Sequence, residues 1–589
     1  MVIAVAVALI LLGVMVWSAR EGRADFVFVN SLEPRTLDPA LTSWVDEFRL
    51  GRCLFEGLTR LNDTTFRPEP AVASRWDVSD DRRRYTFHLR PEARWSNGDP
   101  VTADDFLFAW RRVLDPAVAS EYFYQLYPIT NARRYYESRS DRDPSNDLPF
   151  DRVGARALND RTLQVDLEFP CPYFLDLTAF LTLSPVHRPT LERWAYREGR
   201  VLPTKHLWTR PENLVCNGPF VIERWQFKRR IRLRRNPTYW DAAAIRLRTI
   251  EALPIDDANT SLLAYETGAV DLIAAVTPMA ARALYAAHRA GGRDDFHPRR
   301  YFATYFYRFN CKRPPLNDAR VRRALSLTID RQAICERVLG FGQTPAYCLV
   351  PAGSVDEMTR EGPDGRSYRY EPGRGLGQDM TPTQRIELAR RLLAEAGHPD
   401  GRGVRPLELL YNRDQSHHLI AQAVAKMWKD HLGLQIELKQ LERNVFSPRV
   451  ETLDYDIARG NWVGDYMDPM TFLDMFVTDG GHNQTGFANV EYDRLIRQAT
   501  QEPHPGRRFE ILQQAETLLI GRELPIAPIY EYVGYYLLNP RFGGLWPDSQ
   551  LNLFVHRAFV QPRGVPQTVA GPEPHGSASA GGTLPEAQR

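Results

Sequence analysis

Alternating apolar and polar positions in the first half of the chain predict short strands. Residues 85–89 (YTFHL) and 161–168 (RTLQVDLE) alternate as half-buried strands do, and the run FVFVN at 26–30 is typical of a fully buried strand. The stretch 221–235 alternates on both sides of a short polar break, which predicts a hairpin of two strands. These patterns indicate sheet structure from the beginning of the predicted folded chain.

Helical spacing joins the strand pattern further along the chain. Apolar residues recur every three or four positions between 386 and 396, after Thr381 as a capping residue and before Gly397 as a stop. The same reasoning predicts strands at 407–411, 434–439 and 455–459 and helices at 419–431, 490–499 and 507–520. Because strands and helices alternate, we expect an α/β protein with mixed or parallel sheets in more than one domain.

Length and charge narrow the class of protein. The chain has 589 residues, enough for about four domains at roughly 150 residues each. Lys and Arg number 75 against 73 Asp and Glu, so the net charge is +2 and gives no electrostatic argument for a nucleic-acid partner. Hydrophobic residues make up 43% of the chain, which excludes a wholly disordered protein.

The two ends of the chain differ from its middle. Residues 2–17 are an uncharged, almost wholly apolar run, shorter than the roughly 20 residues of a spanning helix, and are typical of an export signal. Gly22 and Ala24 form a small-x-small candidate cleavage site before Asp25, although no Lys or Arg precedes the run. We therefore expect 1–24 to be a signal peptide or an uncleaved anchor. Residues 563–589 are rich in Pro, Gly, Ala and Ser and predict a disordered tail.

Signatures of catalysis and of metal binding are absent from the sequence. It contains no GxSxG, HExxH or GxxxxGK motif, and its six cysteines form no CxxC pair. His417 and His418 are adjacent at the start of a predicted helix and would diverge by about 100°, so they do not suit one metal ion. We therefore predict that the protein is not an enzyme and that it binds neither a cofactor nor a metal ion. Two disulfides, Cys171–Cys216 and Cys335–Cys348, stay open as alternatives to free thiols.

One segment, 454–470 (DYDIARGNWVGDYMDPM), has the composition of a binding site. A cation, an aromatic ring and an anion, Arg459, Trp462 and Asp465, follow one another within seven residues at the end of a predicted strand. Ligands of open α/β sheets bind beyond the carboxyl ends of strands. The segment therefore indicates either a ligand site or a turn with a single ion pair.

At this point the chain resembles the oligopeptide-binding proteins of bacterial ABC importers. The block at 85–116, YTFHLRPEARWSNGDPVTADDFLFAWRRVLDP, is similar to the most recognisable block of that family. Further blocks lie before and after it, in the family's order, at 33–39, 54–59, 216–220, 236–240, 304–353 and 462–476. The resemblance covers about 30–540.

The resemblance implies a two-lobed Venus-flytrap periplasmic binding protein fold, with an extra α/β domain inserted in the first lobe. The implied divisions are lobe 1 at 25–70, 187–303 and 536–562, the extra domain at 71–186 and lobe 2 at 304–535. The lobes would close on a short peptide, whose main chain pairs with protein strands. The implied partners are an ABC permease and its ATPase subunits, and the implied location is periplasmic. We expect a monomer, tethered if the N-terminal segment stays uncleaved.

The resemblance also implies roles for individual residues. Asp465 stands where the family's carboxylate receives the α-ammonium group of the peptide. Trp462 would wall a side-chain pocket, and Asn461 and Val463 would supply main-chain hydrogen bonds. The remaining implied contacts are Arg459, His417 and Arg449 for the peptide carboxylate, Val45 for a main-chain contact from the first lobe, and Tyr122 from the extra domain.

Two positions depart from the family pattern. Leu339 stands where some members have a lysine that binds the peptide carboxylate, so the resemblance does not give a preferred peptide length. Arg443 stands where some members have a pocket tryptophan, which predicts a preference for acidic side chains or a carboxylate.

Other functions stay open beside peptide capture. The same fold binds dipeptide-like compounds, nickel chelates, haem or sugars in related proteins, and a shared fold does not fix the ligand. An envelope hydrolase would need a nucleophile and a base that no motif provides. A ligand-sensing regulator would need a DNA-binding domain, for which residues 1–30 leave no room.

Overall fold

The structure is a computed structural model of the chain. It describes residues 22–62, 67–140, 147–352, 358–362, 364–545 and 553–561. The predicted export segment at 1–24 lies almost wholly outside these ranges, and the predicted tail at 563–589 lies outside them entirely. Within the described ranges no helix is long and apolar enough to cross a membrane.

Strands occur along the whole described chain. They are β1 (Phe26–Val29), β2 (Thr59–Leu61), β3 (Pro68–Pro70), β4 (Ala73–Val78), β5 (Arg84–Leu89), β6 (Ala155–Asn159), β7 (Thr162–Asp166), β8 (Tyr196–Arg197), β9 (Arg200–Val201), β10 (Phe220–Gln226), β11 (Arg230–Arg235), β12 (Thr249–Leu253), β13 (Leu272–Ile273), β14 (Phe296–Phe309), β15 (Thr344–Pro345), β16 (Thr359–Glu361), β17 (Ser367–Arg369), β18 (Leu407–Asn412), β19 (Ile436–Leu441), β20 (Ile457–Val463), β21 (Ile526–Leu538), β22 (Phe542–Gly543) and β23 (Phe559–Val560).

The α-helices lie between these strands and on both faces of the sheets. They are α1 (Val45–Leu54), α2 (Ala103–Val113), α3 (Ala132–Ser140), α4 (Phe174–Thr178), α5 (Arg188–Trp194), α6 (Ala258–Glu266), α7 (Pro278–Arg289), α8 (Ala319–Leu327), α9 (Arg331–Ala333), α10 (Pro382–Glu395), α11 (Gln415–Leu432), α12 (Arg443–Glu451), α13 (Met470–Leu473), α14 (Val490–Gln501) and α15 (Pro505–Thr517). Short 3₁₀ turns include Phe123–Leu126, and Ile334–Leu339 is a π-helical turn.

One mixed sheet joins the two halves of the molecule. Its strand order is β10-β11-β12-β1-β13-β21-β14-β20-β18-β19, and β15 pairs with β21 beside this path. β1 pairs in parallel with β12 and β13, whereas β14 is antiparallel to both β21 and β20. β18 is parallel to β19 and to β20. The sheet is therefore mixed, as the alternation of elements predicts.

The long strands β14 and β21 pass from one lobe to the other. At one end, Phe296 and Leu537 pack in a core cluster with Val27. Further along the same strands, Tyr307 and Ile529 belong to a different cluster, built on α8, α11 and β18. The pairing of the two strands shifts register between Arg300 and Thr304, midway between these cores. The two lobes thus share strands but have separate cores.

The segment predicted as an extra domain contains its own antiparallel sheet, in the order β4-β5-β7-β6. Helix α2 packs on this sheet through Phe106 and Trp110, which are buried in the same cluster as Phe87. Asp105 accepts a hydrogen bond of 2.9 Å from the Thr102 amide, which caps the first turn of α2. The domain boundaries at 71, 187, 304 and 536 remain predictions.

Predicted elements of the second lobe are confirmed with small changes at their ends. α10 begins after Thr381, whose amide donates to Gln384 Oε1 at 2.9 Å, and Gly397 beyond its end has φ +91°, a left-handed value that favours glycine. α11 begins at Gln415, four residues before the predicted start, because the Asp414 side chain caps it. This cap fixes the first turn of α11, which carries His417.

All six cysteines are free, which decides the alternative that the sequence left open. Five of them are buried and Cys311 is partly buried. Burial raises the pKa of the thiols of Cys53, Cys216 and Cys335 to about 12, so these thiols stay protonated at neutral pH. The fold is therefore held by packing without disulfides.

Candidate functional site

The carboxyl ends of three strands meet at one edge of the second lobe. β18 and β19 end together, with Asn412 opposite Leu441, and β20 runs parallel beside them and ends at Val463. Such an edge is where open α/β sheets bind ligands. The predicted binding segment at 454–470 contains β20 and the turn that follows it, so the structure places it at this edge.

β20 has one unpaired side near its end. On one side it pairs with β14, with Thr304 opposite Trp462 and Ala303 opposite Val463. On the other side, β18 pairs only with Ile457 and Ala458. In the described part of the chain no strand pairs with 461–463 on the side of β18, so the main chain there has the free edge that strand addition uses.

Asp465 lies just beyond this free edge. Its amide donates to Thr471 Oγ1 at 3.0 Å, which fixes the backbone, and its Oδ2 accepts a hydrogen bond of 3.1 Å from the hydroxyl of Tyr124. Burial raises the pKa of Asp465 to about 6, although the Tyr124 hydrogen bond lowers it. Among the described residues no Lys, Arg or His lies within ion-pair distance of this carboxylate. A carboxylate in this position is stabilised by a cation.

Aromatic rings surround the space beside Asp465. The rings of Trp462 and His482 lie 5.1 Å apart, and the ring of Tyr124 lies 6.5 Å from His482. Trp462 Nε1 is buried and has no hydrogen-bond partner among the described residues. Trp462 therefore belongs to an aromatic group near the carboxylate and has a donor that no described residue uses, while its role as a pocket wall stays a prediction.

Two further predicted contacts come from other segments, Tyr122 from the extra-domain segment and Val45 from the first lobe. Tyr122 contacts Tyr124, with ring centroids 6.0 Å apart, and Phe48, at 5.8 Å. Phe48 lies in α1, whose first residue is Val45, one turn away and 48% exposed. The hydroxyl that reaches the Asp465 carboxylate belongs to Tyr124, and the ligand contacts of Tyr122 and Val45 stay predictions.

Arg459 and His417 form a second group at the same strand ends. The Arg459 guanidinium donates to the Tyr532 hydroxyl at 2.9 Å and lies 5.2 Å from the ring centroid of Tyr305. His417 is 5.5 Å from the same ring. Burial and, to a smaller extent, the Arg459 charge together lower the pKa of His417 to about 4, so the imidazole is neutral at pH 7. Arg459 Nε and His417 Nδ1 are buried without hydrogen-bond partners in the described chain.

Arg449 and Arg443 are placed differently. Arg449, in α12, forms ion pairs of 2.8 Å with Glu408 and 2.9 Å with Asp454, beside the beginning of β18 and before the beginning of β20. At about 3.3 Å per residue, the length of β20 separates this position from Asp465. Arg443 begins α12 and is exposed near the carboxyl end of β19. The structure brings Arg443 to the site edge but not Arg449, and the binding roles of both stay predictions.

Two further contacts join the extra-domain segment to the second lobe. The rings of Tyr173 and Tyr466 stack with centroids 4.1 Å apart and planes 12° apart. Asp176 lies 3.6 Å from Arg360 Nη2, and burial raises the pKa of Asp176 to about 6 while the Arg360 charge lowers it. Together with the Tyr124 bond to Asp465, these contacts hold the two sides of the cleft together around the site.

Sequence reasoning missed Tyr124, His482 and Thr471. The aromatic run at 122–127 (YFYQLY) does indicate a binding surface, but it does not reveal which ring turns toward the cleft. His482 lies in a polar loop with no periodic pattern, so only the fold shows its contact with Trp462.

Comparison with known proteins assigns the chain to a family. Residues 67–484 match the bacterial extracellular solute-binding proteins, family 5, middle. The chain belongs to this family. The match confirms the resemblance predicted from sequence, and the large mixed sheet agrees with the two-lobed fold of the family's solved structures.

Individual family-5 proteins resemble the chain over almost its whole length. The oligopeptide-binding protein OppA of Bacillus subtilis is 34% identical over 546 residues, which cover 92% of this chain and 93% of that protein. The probable deoxycholate-binding periplasmic protein YgiS of Escherichia coli is 34% identical, with 88% and 90% covered. The crystal structure of Haemophilus influenzae OppA in complex with RPPGFSPFR has a TM-score of 0.72 at 28% identity, covering 91% of this chain and 100% of that one.

Proposed function

We propose that this protein is the substrate-binding component of an ABC importer and that it captures short peptides between its lobes. The observation that carries the proposal is Asp465, a half-buried carboxylate at the strand ends that accepts from a tyrosine hydroxyl and contacts no cation among the described residues. The α-ammonium group of a peptide supplies the missing charge. Such a charge-assisted contact is roughly twice as strong as a neutral hydrogen bond.

The free edge of β20 supports the extended binding mode. A peptide laid beside Asn461 and Val463 adds a strand to the sheet and makes main-chain hydrogen bonds that are indifferent to its sequence. Its amino end then lies toward Asp465, since Asp465 follows Val463 by two residues. Side chains of the peptide occupy the space bordered by Trp462, Tyr122 and Val45.

The other end of a short peptide requires a cationic or donor site. Arg459 Nε is buried at this edge of the sheet without a hydrogen-bond partner among the described residues, which suits a carboxylate. His417 Nδ1 also lacks a hydrogen-bond partner there and lies 3.6 Å from the Asp414 carboxylate. The exposed guanidinium of Arg443 supports the expected preference for acidic side chains. Arg449 is engaged with two carboxylates, so a supporting role for α12 accounts for its geometry better than ligand contact does.

The same proposal covers the partners and the location. The closed protein delivers its peptide to a membrane permease driven by ATPase subunits, and it catalyses no reaction itself. The apolar run at 2–17 supports an extracytoplasmic protein, tethered where the run is retained. The protein acts as a monomer in this scheme.

A second candidate ligand is favoured by the relative whose name indicates deoxycholate binding. A bile acid has a carboxylate and an apolar ring system but no amine. It suits Arg459 and the aromatic walls, but it leaves Asp465 without a cation. The two candidate ligands therefore differ in whether a free amine is needed for binding.

Ligands that remain bound through purification test the proposal. The exported protein is purified without added ligand and extracted with acid, and the released molecules are analysed by mass spectrometry. A ladder of short peptides of mixed sequence supports peptide capture, and its length distribution answers the question that Leu339 raises. A single compound without an amine contradicts it and favours the second candidate.

A further inference from the structure

The hairpin of β10 and β11 concentrates positive charge at one edge of the main sheet. Residues 220–235 contain seven Lys and Arg and one acidic residue, in a chain whose net charge is only +2. β10 is the terminal strand of the sheet, so the hairpin has β12 on one side only. The charge is therefore carried on a projecting edge of the first lobe, away from β14 and β20.

Three of these seven cations lie on one face of the hairpin. Arg224 is paired in register with Arg232, and Arg234 is paired with Thr249 of β12, so these side chains share a face. Two acids neutralise part of the charge: Arg232 lies 3.1 Å from Glu223 and 3.5 Å from Glu251.

Three cations of the hairpin, in contrast to Arg232, have no acidic residue as a register partner among the described strands. They are Lys228, Arg229 and Arg234, all of which are exposed.

An exposed aromatic ring stands at the tip. Phe227 is 72% exposed and follows the last residue of β10. The turn that carries it is fixed to the body of the lobe, because Glu33 accepts hydrogen bonds from Trp225 Nε1 at 2.5 Å and from the Lys228 amide at 3.1 Å. The ring is held outward by this anchored turn, with Lys228 Nζ 5.7 Å from its centroid.

The N-terminal segment leaves the fold from the same face. Arg232 Nη1 donates to the carbonyl of Gly22 at 3.0 Å, and the Asp25 carboxylate accepts from the Arg248 amide at 2.8 Å. The apolar run ends at Trp17, five residues before Gly22, a span of at most about 18 Å. Whatever membrane holds that run also lies within reach of the hairpin.

We propose that the β10–β11 hairpin is a docking surface for the anionic headgroups of a phospholipid bilayer. Each exposed Lys or Arg near such a surface adds attraction, and an aromatic ring at the tip suits the boundary between headgroups and acyl chains. The hairpin then orients a tethered protein on its membrane by one fixed edge of the first lobe. This inference does not depend on which solute the cleft binds.

A polarity-sensitive fluorophore beside the turn tests the proposal. The full chain carrying Gln226→Cys is labelled and placed in nanodiscs of phosphatidylcholine alone or with phosphatidylglycerol. The labelled chain without the new cysteine gives the background from the six native cysteines. A blue-shifted fraction is expected only in the anionic discs. It is expected to disappear when salt is raised from about 0.1 M to about 1 M, which shortens the Debye length from about 10 Å to about 3 Å.

Charge reversal supplies the matched control. On the same labelled background, Lys228→Glu, Arg229→Glu and Arg234→Glu together are expected to lower the docked-to-undocked ratio by about 100-fold. The same reversal at the exposed Arg374, Arg391 and Arg402 of the second lobe is expected to leave it unchanged. Equal emission in both kinds of disc overturns the proposal, as does a shift that survives the hairpin reversal. A shift seen only when membrane proteins are added assigns the surface to a protein partner and also overturns it.

Discussion

The hydroxyl of Tyr124 donates a hydrogen bond of 3.1 Å to Oδ2 of Asp465, across 341 positions of sequence. The bond joins the extra-domain segment to the second lobe at the carboxylate that we propose receives the ligand amine. An incoming ammonium group therefore meets a carboxylate whose second side is already oriented by a neutral donor. Because a hydroxyl stabilises a carboxylate less than a cation does, the amine gains by joining this contact.

The pH dependence of peptide affinity follows from the carboxylate. Burial raises the pKa of Asp465 from 3.8 to about 6, so below about pH 6 the group is protonated and cannot pair with an amine. We expect affinity measured by calorimetry to fall by up to about tenfold per pH unit between about pH 6 and pH 4. Asp465→Asn is expected to bind weakly and to lack this dependence. A wild-type affinity that is flat from pH 7 to pH 4 would contradict the account.

The stability of the protein without ligand should show the opposite trend from the same group. A carboxyl group whose pKa is raised by folding contributes stability that is present below its ordinary value of 3.8 and is lost as the pH rises through about 6. We therefore expect the unfolding free energy of the wild type, relative to that of Asp465→Asn, to decrease as the pH rises from 3.8 to about 6. Chemical denaturation at several pH values measures both unfolding free energies. A relative stability of the wild type that increases over this pH range would exclude the raised pKa.

Replacing Tyr124 by Phe should shift the pH profile without abolishing binding. The hydrogen bond from Tyr124 lowers the pKa of Asp465, so its loss raises that pKa further above its ordinary range. We expect the midpoint of the affinity profile to move to higher pH, while the affinity at pH 8 changes by less than about tenfold. Tyr122→Phe is the matched control, since Tyr124 is the only described tyrosine whose hydroxyl donates to the Asp465 carboxylate. Equal midpoints for the wild type and Tyr124→Phe would contradict the role of this bond.

Two arginines separate ligand contact from structural support. Arg459→Ala removes a guanidinium whose buried Nε has no hydrogen-bond partner in the described chain, and it should weaken binding of peptides with a free carboxylate by about 10- to 100-fold. The same substitution should change the binding of peptide amides much less. Arg449→Ala breaks ion pairs with Glu408 and Asp454 and should lower the melting temperature with little change in affinity. Calorimetry and thermal unfolding of both variants measure this split, and an affinity loss confined to Arg449→Ala would reverse the assignment.

The stability of the second lobe should depend on a buried ion pair next to the site. Arg508 donates two hydrogen bonds of 2.8 Å to Asp468, and both side chains are almost fully buried. Because Arg508→Ala leaves the Asp468 carboxylate without its cation, we expect the unfolding free energy to fall by about 3–5 kcal/mol. Arg507→Ala, at the exposed neighbouring position, should change it by less than about 0.5 kcal/mol. Similar denaturation midpoints for both variants would show that the pair contributes little.

Much of the fold follows from local pattern, whereas the site depends on contacts that no local pattern encodes. Periodicity predicts β18 and α10 within a residue or two, because each buries one face and carries its own start and stop residues. Asp465 is found through its position in a family block. Tyr124 is not, because its contact with Asp465 exists only after two distant segments have packed. For Arg449 the sequence suggests more than the structure supports. Its position in the chain suggests a ligand contact, whereas its ion pairs with Glu408 and Asp454 favour a role in supporting α12.

The central claim is that Asp465 binds the free amine of a peptide, and calorimetry with one tripeptide and its N-acetylated form tests it most directly. Acetylation removes the charge and leaves the half-buried carboxylate without its cation, a cost of about 3 kcal/mol. The account predicts that the wild type binds the acetylated form at least about 100-fold more weakly, and that Asp465→Asn reduces this difference to less than about tenfold. Equal affinity of the wild type for both forms would contradict it.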